Sequence, residues 1–335
     1  ARTMLMKAAI ATEYGAPDVV QLQDVERPTP TANKLLIRIH ATTVTSGDWR
    51  VRSLNVPTGF RLLSRLMFGL RRPQQPILGT ELAGVVEAVG SDVTRFDVGD
   101  AVFAYSDAAM GAHAEYIAFP EDGAIAHKPS NLTFEEAAAL SFGGTTALYF
   151  LRESGIQRGE RVLVNGASGG VGTAAIQLAK HFGARVTGVC STGHVALVQS
   201  LGADRVVDYT KEDVVDRGER FDIIVDMAGT LPFARSKPIL NDGGRLLLVL
   251  ASLPGMLQAP WVALTTDKNV IAGAASGTAE DLAFLASLAE AGAFTPIIDR
   301  RYPFARIAEA HAYVDQGHKT GNVVVNVVPA LVPTG

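Results

Sequence analysis

The chain has one cysteine, Cys190, in 335 residues. That excludes an internal disulfide and every zinc cage built from several thiolates, and it fits a reducing compartment. An excess of charge of one sign is missing too: 30 lysines and arginines face 34 acids, for a formal net charge of −4, while apolar residues make up 47% of the chain. A near-neutral chain this apolar folds into a packed body; it is neither a disordered tail nor a binder of nucleic-acid phosphates. Residues 1–7 lead into no apolar run of leader length before Glu13, so no secretion signal is expected. The most apolar stretch, 246–264, is interrupted by Pro254, Gly255, Gln258 and Pro260, too often to span a bilayer that takes about 20 apolar residues. A soluble, cytoplasmic protein without stable membrane insertion is expected. There is no internal repeat and no low-complexity segment, and the length predicts two domains.

What the chain has in plenty is glycine, 33 residues, and the question is where it is concentrated. The first third reads as short strands over 6–14, 19–25, 35–43, 82–89, 101–105 and 114–119, punctuated by Gly15-Ala16-Pro17, Pro28-Thr29-Pro30, Gly90, Gly99-Asp100 and Gly111. Such strands with little helix predict an antiparallel, barrel-like β domain. From 129 the period lengthens. Asn131 or Thr133, followed by acids, has the form of a capping box opening a helical run over 137–150. Strands at 161–165, 185–190, 205–208, 222–226, 245–250 and 270–274 then alternate with helices at 171–182 and 194–201, the pattern of a doubly wound parallel sheet. A helix over 279–291, a strand over 296–302, a helix over 307–314 and a strand over 322–328 are expected to return to the first domain.

The glycines cluster after the first parallel strand, in Gly166-Ala167-Ser168-Gly169-Gly170-Val171-Gly172. Between a strand and a helix, this variant of the Rossmann fingerprint brings backbone close to a pyrophosphate and aims helix N-terminal amides at it. Gly166-Ala167-Ser168-Gly169-Gly170 also spells a nucleophile elbow with Ser168 as a hydrolase serine; the elbow normally follows several βα units and has no use for Gly172, so the dinucleotide reading leads. At the end of the second strand, Ser191, Thr192, Gly193 and His194 offer hydroxyls and an imidazole and no acid, which favours NADPH, with NADH as the alternative. The seven histidines, His40, His113, His127, His181, His194, His311 and His318, show no metal-ligand spacing and read mostly as surface or strand-end residues. No metal site is expected.

With these motifs, the chain resembles the medium-chain dehydrogenase/reductase superfamily, in its zinc-independent quinone oxidoreductase and enone reductase branch. The likeness runs from Met6-Lys7-Ala8-Ala9 through Pro76-Ile77-Leu78-Gly79-Thr80-Glu81-Leu82-Ala83-Gly84 and the turn at Gly169 to Gly321-Asn322-Val323. Zinc-bearing relatives carry Gly-His-Glu and an earlier cysteine where this chain has Gly79-Thr80-Glu81 and Ser46. The resemblance implies a GroES-like catalytic domain over 1–128 and 275–335, a Rossmann domain over 129–274, a cleft where the nicotinamide meets the substrate, and a homodimer. It implies catalytic roles for Thr45 and Asp48, where Thr45-Ser46-Gly47-Asp48 stands in place of an Asn-x-x-Asp motif, and Tyr105 is a further candidate for stabilising charge or relaying a proton. Cofactor contacts are implied for Thr146, Ser168, Gly169, Gly170, Val171, Gly172, Ser191, Thr192, His194, Tyr209, Leu250, Ala251, Ala274, Ala275 and Asn322. The implied chemistry is hydride transfer to a small hydrophobic quinone or α,β-unsaturated carbonyl; a non-catalytic nucleotide-binding protein of the same fold is the alternative. The basic, apolar segment 60–72 is read as a lid or pocket wall, or as a helix packed on the barrel, ahead of a membrane-surface helix.

Overall fold

Strand alternation builds the first hairpin. β1 (Leu5–Ala11) sends Met6, Ala8 and Ile10 to a small cluster with Ala114, and Ala9 and Ala11 to the main core on its other face. It pairs antiparallel with β2 (Val20–Glu26), Leu5 opposite Glu26 and Ala11 opposite Val20. The structure, a computed structural model, describes residues 4–328; the outermost parts of the expected catalytic domain, 1–3 and 329–335, lie outside them.

After the hairpin come β3 (Lys34–Val44), α1 (Ser46–Ser53), α2 (Arg61–Phe68), β4 (Glu81–Val89), β5 (Ala101–Tyr105), β6 (Tyr116–Pro120), β7 (Ile125–His127), α3 (Phe134–Ala138) and α4 (Ser141–Glu153). β8 (Arg161–Asn165), α5 (Gly170–His181), β9 (Arg185–Cys190), α6 (Val195–Ser200), β10 (Arg205–Asp208), β11 (Phe221–Asp226), α7 (Phe233–Ser236), β12 (Leu240–Leu248), α8 (Leu253–Thr265) and β13 (Asn269–Ala272) follow. The chain closes with α9 (Ala279–Glu290), β14 (Ile298–Pro303), α10 (Ile307–Asp315) and β15 (Asn322–Asn326).

Two compact units result. The first takes the chain up to Val56, Arg61–Phe142 and everything from Gly277 on; the second takes Pro57–Phe60 and Gly143–Ser276. The first junction falls beyond the expected 128/129 because α3, opened by a capping box between Thr133 and Glu136, packs on β3, β4 and β15. The helical run expected over 137–150 is therefore two helices, interrupted at Ala139 and Leu140.

The sheet of the first unit has the order β14-β15-β3-β4-β5-β7, with β6 also on β3. Its pairs are antiparallel except β14 with β15, which α10 joins as a parallel crossover, so the sheet is mixed where an antiparallel one was expected. Leu35, Ile37 and Ile39 of β3 lie in its core with Leu82, Val86, Val102, Ile125 and Val323. The second unit is a six-stranded parallel sheet, β10-β9-β8-β11-β12-β13. Counted from β8 this is the 3-2-1-4-5-6 order of the dinucleotide-binding fold. Its strands β8, β9 and β11 are buried along nearly their whole length, as parallel strands covered on both faces must be, while β10, β12 and β13 are buried only in part.

Candidate active site

In the second unit the parallel register lines up the carboxyl ends of the strands. Asn165 lies opposite Asp226, Asp226 opposite Leu248, Leu248 opposite Ala272, and Cys190 opposite Asp208. Gly166–Gly172, Ser191–His194, Tyr209, Leu250–Ala251 and Ala274–Ala275 all follow these ends, the edge where open α/β sheets bind ligands. Gly166 turns the chain with φ +88°, a conformation that costs glycine little. A Cβ on Gly172 would stand 2.0 Å from the Gly166 carbonyl oxygen and 2.9 Å from Ala167, so this glycine serves the packing of helix on strand. Gly169 is different. As the N-cap of α5 it offers no side chain to the first-turn amides of Gly170, Val171 and Gly172, and the nearest atom to a Cβ there would be the Gly166 oxygen at 3.9 Å. Uncapped amides beside open space suit an anion held against backbone, so these residues fit a dinucleotide pyrophosphate. Ser168 is partly exposed on the same turn, and the close packing at Gly172 belongs to a dinucleotide turn and not to a nucleophile elbow. Gly143 packs as tightly: a Cβ there would meet the Gly170 oxygen at 2.5 Å, which brings the start of α4, and with it the buried Thr146, to the head of α5.

Two residues absent from the expected set hold this edge. Asp226 accepts from Asn165 Nδ2 (2.8 Å) and from the amides of Ala228, Gly229 and Leu231, tying the turn after β8 to the turn after β11. Asp208, at the end of β10, accepts from Thr192 Oγ1 at 2.5 Å and from Thr210 Oγ1 at 2.6 Å, which hold its carboxyl down to about 2, and Lys211 Nζ lies 3.4 Å away. The segment after β9 has no acid of its own, yet the fold brings one from the next strand. Thr192 gives its single hydroxyl proton to that carboxylate. Ser191 Oγ and His194 Nδ1 pair at 3.0 Å and Tyr209 is exposed. Cys190 is buried, and burial, then Asp208, pushes its thiol up to about 11.

The first unit gathers Thr45, Asp48, Glu81 and Tyr105. Thr45 is the N-cap of α1, and its Oγ1 accepts from the Asp48 amide at 3.2 Å. The Asp48 carboxylate reaches back: Oδ2 accepts from Thr45 N and Oγ1, both at 2.8 Å, and Oδ1 accepts from Gly79 N at 2.9 Å. Asp48 is fully buried and its oxygens are engaged, three bonds in all, in holding α1 to the segment before β4. Glu81 starts β4, opposite Tyr105 in register. It accepts from Thr43 Oγ1 and from the first-turn amide of Phe142 in α4, both at 2.6 Å. Burial nevertheless pushes its carboxyl up to about 7 against those donors; Asp48 adds to the rise and Lys319 opposes it. Lys319 donates to the Gly321 carbonyl at 2.6 Å, and burial brings its ammonium down to about 8 although Glu81 and Asp299 hold the proton on. Tyr105 donates to Asp107 Oδ1 at 3.3 Å, and burial together with Asp107 and Glu81 drives its phenol well above the usual range. Beside Glu81, Thr80 carries a buried hydroxyl with no hydrogen-bond partner.

Asn322 belongs to the first unit. It opens β15, and its side chain donates to the Ile297 carbonyl at 3.0 Å. Two histidines expected near the surface are fully buried. His113 Nε2 lies 2.8 Å from the Thr43 carbonyl, and His311 Nδ1 lies 3.1 Å from the buried Arg52, whose guanidinium also pairs with Asp315. Those polar partners let the rings sit inside. His113 also crowds Gly79, whose φ is +97° and whose added Cβ would meet the ring at 2.4 Å. Among the described residues no group of three or more His, Cys, Asp or Glu is placed to hold a metal ion. Gly79-Thr80-Glu81 carries a sequence signal for Glu81; Lys319 has none beyond its place two residues before Gly321.

A family model described as an alcohol dehydrogenase GroES-like domain matches residues 31–130, and one described as a zinc-binding dehydrogenase matches 201–325. The chain is 34% identical to the 2-methylene-furan-3-one reductase of Solanum lycopersicum, over 97% of this chain and 80% of that protein. It is 32% identical, with the same coverage, to the chloroplastic NADPH-dependent alkenal/one oxidoreductase of Arabidopsis thaliana. The structure of the quinone oxidoreductase from Coxiella burnetii matches with a TM-score of 0.85 at 28% identity, over 97% of this chain and 100% of that one. Fold and turn thus define an oxidoreductase of the kind that works with NAD(P)H. Within that class, the chain belongs to the medium-chain dehydrogenase/reductase superfamily, in the zinc-independent branch of quinone oxidoreductases and enone reductases.

Proposed function

We propose that this chain delivers a hydride from NADPH to a quinone or to the β-carbon of an α,β-unsaturated carbonyl. The observation that carries the reading is the glycine turn at the central strand of a 3-2-1-4-5-6 sheet, in a chain with hydroxyl residues, Ser46 and Thr80, at the zinc-ligand positions. When bound, the cofactor supplies the hydride. The amides of Gly169–Gly172 and the Ser168 hydroxyl hold the pyrophosphate. Thr146, Leu250, Ala251, Ala274, Ala275 and Asn322 contact the nicotinamide half, while Ser191, His194 and Tyr209 receive the phosphate of NADPH, with Thr192 bracing Asp208.

As hydride adds to the β-carbon, the electron pair of the double bond moves to the carbonyl oxygen, and a proton must then reach the α-carbon. The unpaired Thr80 hydroxyl is the donor for that oxygen in this reading, and Thr45 and Tyr105 join it only by turning their hydroxyl protons away from Asp48 and Asp107. Asp48 is a positioning residue, since its carboxylate is committed to Thr45 and Gly79. Asp208 favours a second reading, NADH as donor, because an ionised carboxylate beside Thr192 repels the extra phosphate. A homodimer belongs to the proposal: β13 is an outer strand of its sheet, and α8 exposes Leu257, Trp261 and Leu264. So does a reducing, cytoplasmic location, supported by the lone, buried Cys190. No helix among the described residues is long and apolar enough to cross a membrane.

The test is a panel of quinones, enals, enones and acrylates with NADPH and with NADH, with product analysis that separates C=C from C=O reduction. Saturated carbonyls or hydroquinones are the expected products. Absence of turnover across the whole panel, in protein that binds the cofactor, overturns the reading in favour of a non-catalytic nucleotide binder.

A further inference from the structure

α2 is amphipathic in the wrong direction for a soluble protein. At 100° per residue, Leu62, Leu63, Leu66 and Met67 share one face and Ser64, Arg65 and Phe68 the other. The face turned to the protein is the second one: Phe68 packs against the core of the first unit, and Arg65 donates to the Leu70 carbonyl at 3.2 Å. The leucine face is turned out. Leu62, Leu63, Leu66, Met67 and, just past the helix, Leu70 are between 51% and 68% exposed. The helix does pack on the first unit, one of the expectations for 60–72, but through Phe68 and not through its leucines. Several large apolar side chains side by side in water mark an interaction surface and are not ordinary scatter.

Charge says what covers it. From Trp49 to Thr80 the chain has no acidic residue and six arginines, in a protein of net charge −4. Arg71 and Arg72 are exposed directly after Leu70, at the end of the leucine face, and Arg61 is exposed at the start of α2 on its other side, whereas Arg50 and Arg52 are drawn inward. A second copy of this chain docking face to face would bring these arginines against their own equivalents. An apolar face flanked by arginines matches the interface of an anionic bilayer, where leucines enter the acyl boundary and guanidinium groups stay at the headgroups.

We infer that α2 and the following Leu70–Arg72 form a peripheral docking site for an anionic lipid surface, with Leu62, Leu63, Leu66 and Met67 as the inserting side chains. Tyr14 braces the segment through a hydrogen bond to the Gly69 carbonyl at 2.7 Å, and the Gln74 amide closes it on Phe68 at 2.8 Å. The face therefore stands preformed on the first unit.

The experiment is co-sedimentation of the full chain with phosphatidylcholine vesicles containing about 30 mol% phosphatidylserine, beside pure phosphatidylcholine. Binding to the anionic vesicles, weakened by salt, is expected, and the combined substitution Leu62→Ser, Leu66→Ser, Met67→Ser should weaken it by about tenfold or more without changing turnover of a water-soluble enone. These side chains support no core, so the variant folds; Arg61→Glu with Arg71→Glu and Arg72→Glu gives an independent variant expected to lose the preference for anionic lipid. A Leu66→Trp reporter should shift its emission to the blue on vesicle addition. Failure of the wild-type chain to sediment with anionic vesicles overturns the inference and returns the face to a protein partner. Unchanged vesicle binding by the serine variant overturns it as well, and if that variant changes KM for the soluble enone, the segment is a wall of the substrate site. Turnover of the soluble enone by wild type is read separately, so failure of the lipid inference is distinguishable from failure of the enzymatic one.

Discussion

The glycine turn of the second unit and the polar cluster of the first present their functional atoms in different ways. The turn works by having no side chains: Gly166 supplies a left-handed φ, Gly172 lets helix approach strand, and Gly169 leaves amides open. The cluster works by burying carboxylates: Asp48 and Glu81 are fully enclosed, Asp48 accepting from two backbone amides and a hydroxyl and Glu81 from one amide and a hydroxyl. A backbone device announces itself in a short run of glycines between a strand and a helix. A side-chain device assembled from residues 43, 45, 48, 79, 81, 142 and 319 does not.

The comparison breaks first at Gly172. Gly172→Ala forces a Cβ against backbone at 2.0 Å; roughly 3 kcal/mol of stability and most cofactor affinity should go, seen by denaturant unfolding and by NADPH fluorescence titration. Gly169→Ala, with its nearest atom at 3.9 Å, should leave unfolding near wild type and still weaken NADPH. Equal loss of stability in both variants would erase the distinction between packing and ligand glycines. On the side of the cluster, Asp48→Ala strands three buried donors, Thr45 N, Thr45 Oγ1 and Gly79 N, so about 3 kcal/mol of destabilisation is expected, with Asp48→Asn milder. If Asp48→Asn keeps the fold and abolishes turnover with KM unchanged, Asp48 does more than position.

Glu81 gives a smaller effect with a sign. Its carboxyl lies at about 7 in the fold and at 4.5 as an ordinary group, so the folded state holds the proton more tightly between those values. The stability this contributes is complete below the lower value and is lost as pH rises through about 7. Lys319, lowered to about 8, works in the opposite sense and restores stability as pH climbs toward its ordinary value. Glu81→Gln should flatten the decline in Tm from weakly acidic to neutral pH, a change of roughly 1–3 kcal/mol. A variant profile parallel to wild type would show that the charge of Glu81 is matched at every pH. The smallest effect concerns specificity: Asp208→Asn removes the ionised group beside Thr192 and should raise the NADPH-to-NADH ratio of kcat/KM by about tenfold or less, with little change in Tm.

Much of the fold was legible because the signals were local. The strands at 101–105, 161–165, 185–190 and 205–208 lie where the apolar runs put them, and α5 begins at the glycines. α8 was hidden because its prolines read as breaks; Pro254 instead sits in the first turn behind the N-cap Ser252, whose Oγ accepts from the Gly255 amide at 3.2 Å. α1 was hidden for the same kind of reason, since Thr45-Ser46-Gly47-Asp48 reads as a cleft motif and folds as a capping box.

Sequence by itself determined the class of chemistry. One cysteine and seven residues of turn between a strand and a helix are enough, because a backbone that must approach a pyrophosphate can be built from few residue types. Tertiary structure alone decided which charges meet. Asp208 reaches Thr192 because parallel strands end in register, and Glu81 shares its surroundings with Lys319 because the last strand returns to the first sheet. Electrostatics depends on distance through space and on burial, and neither quantity is written along the chain.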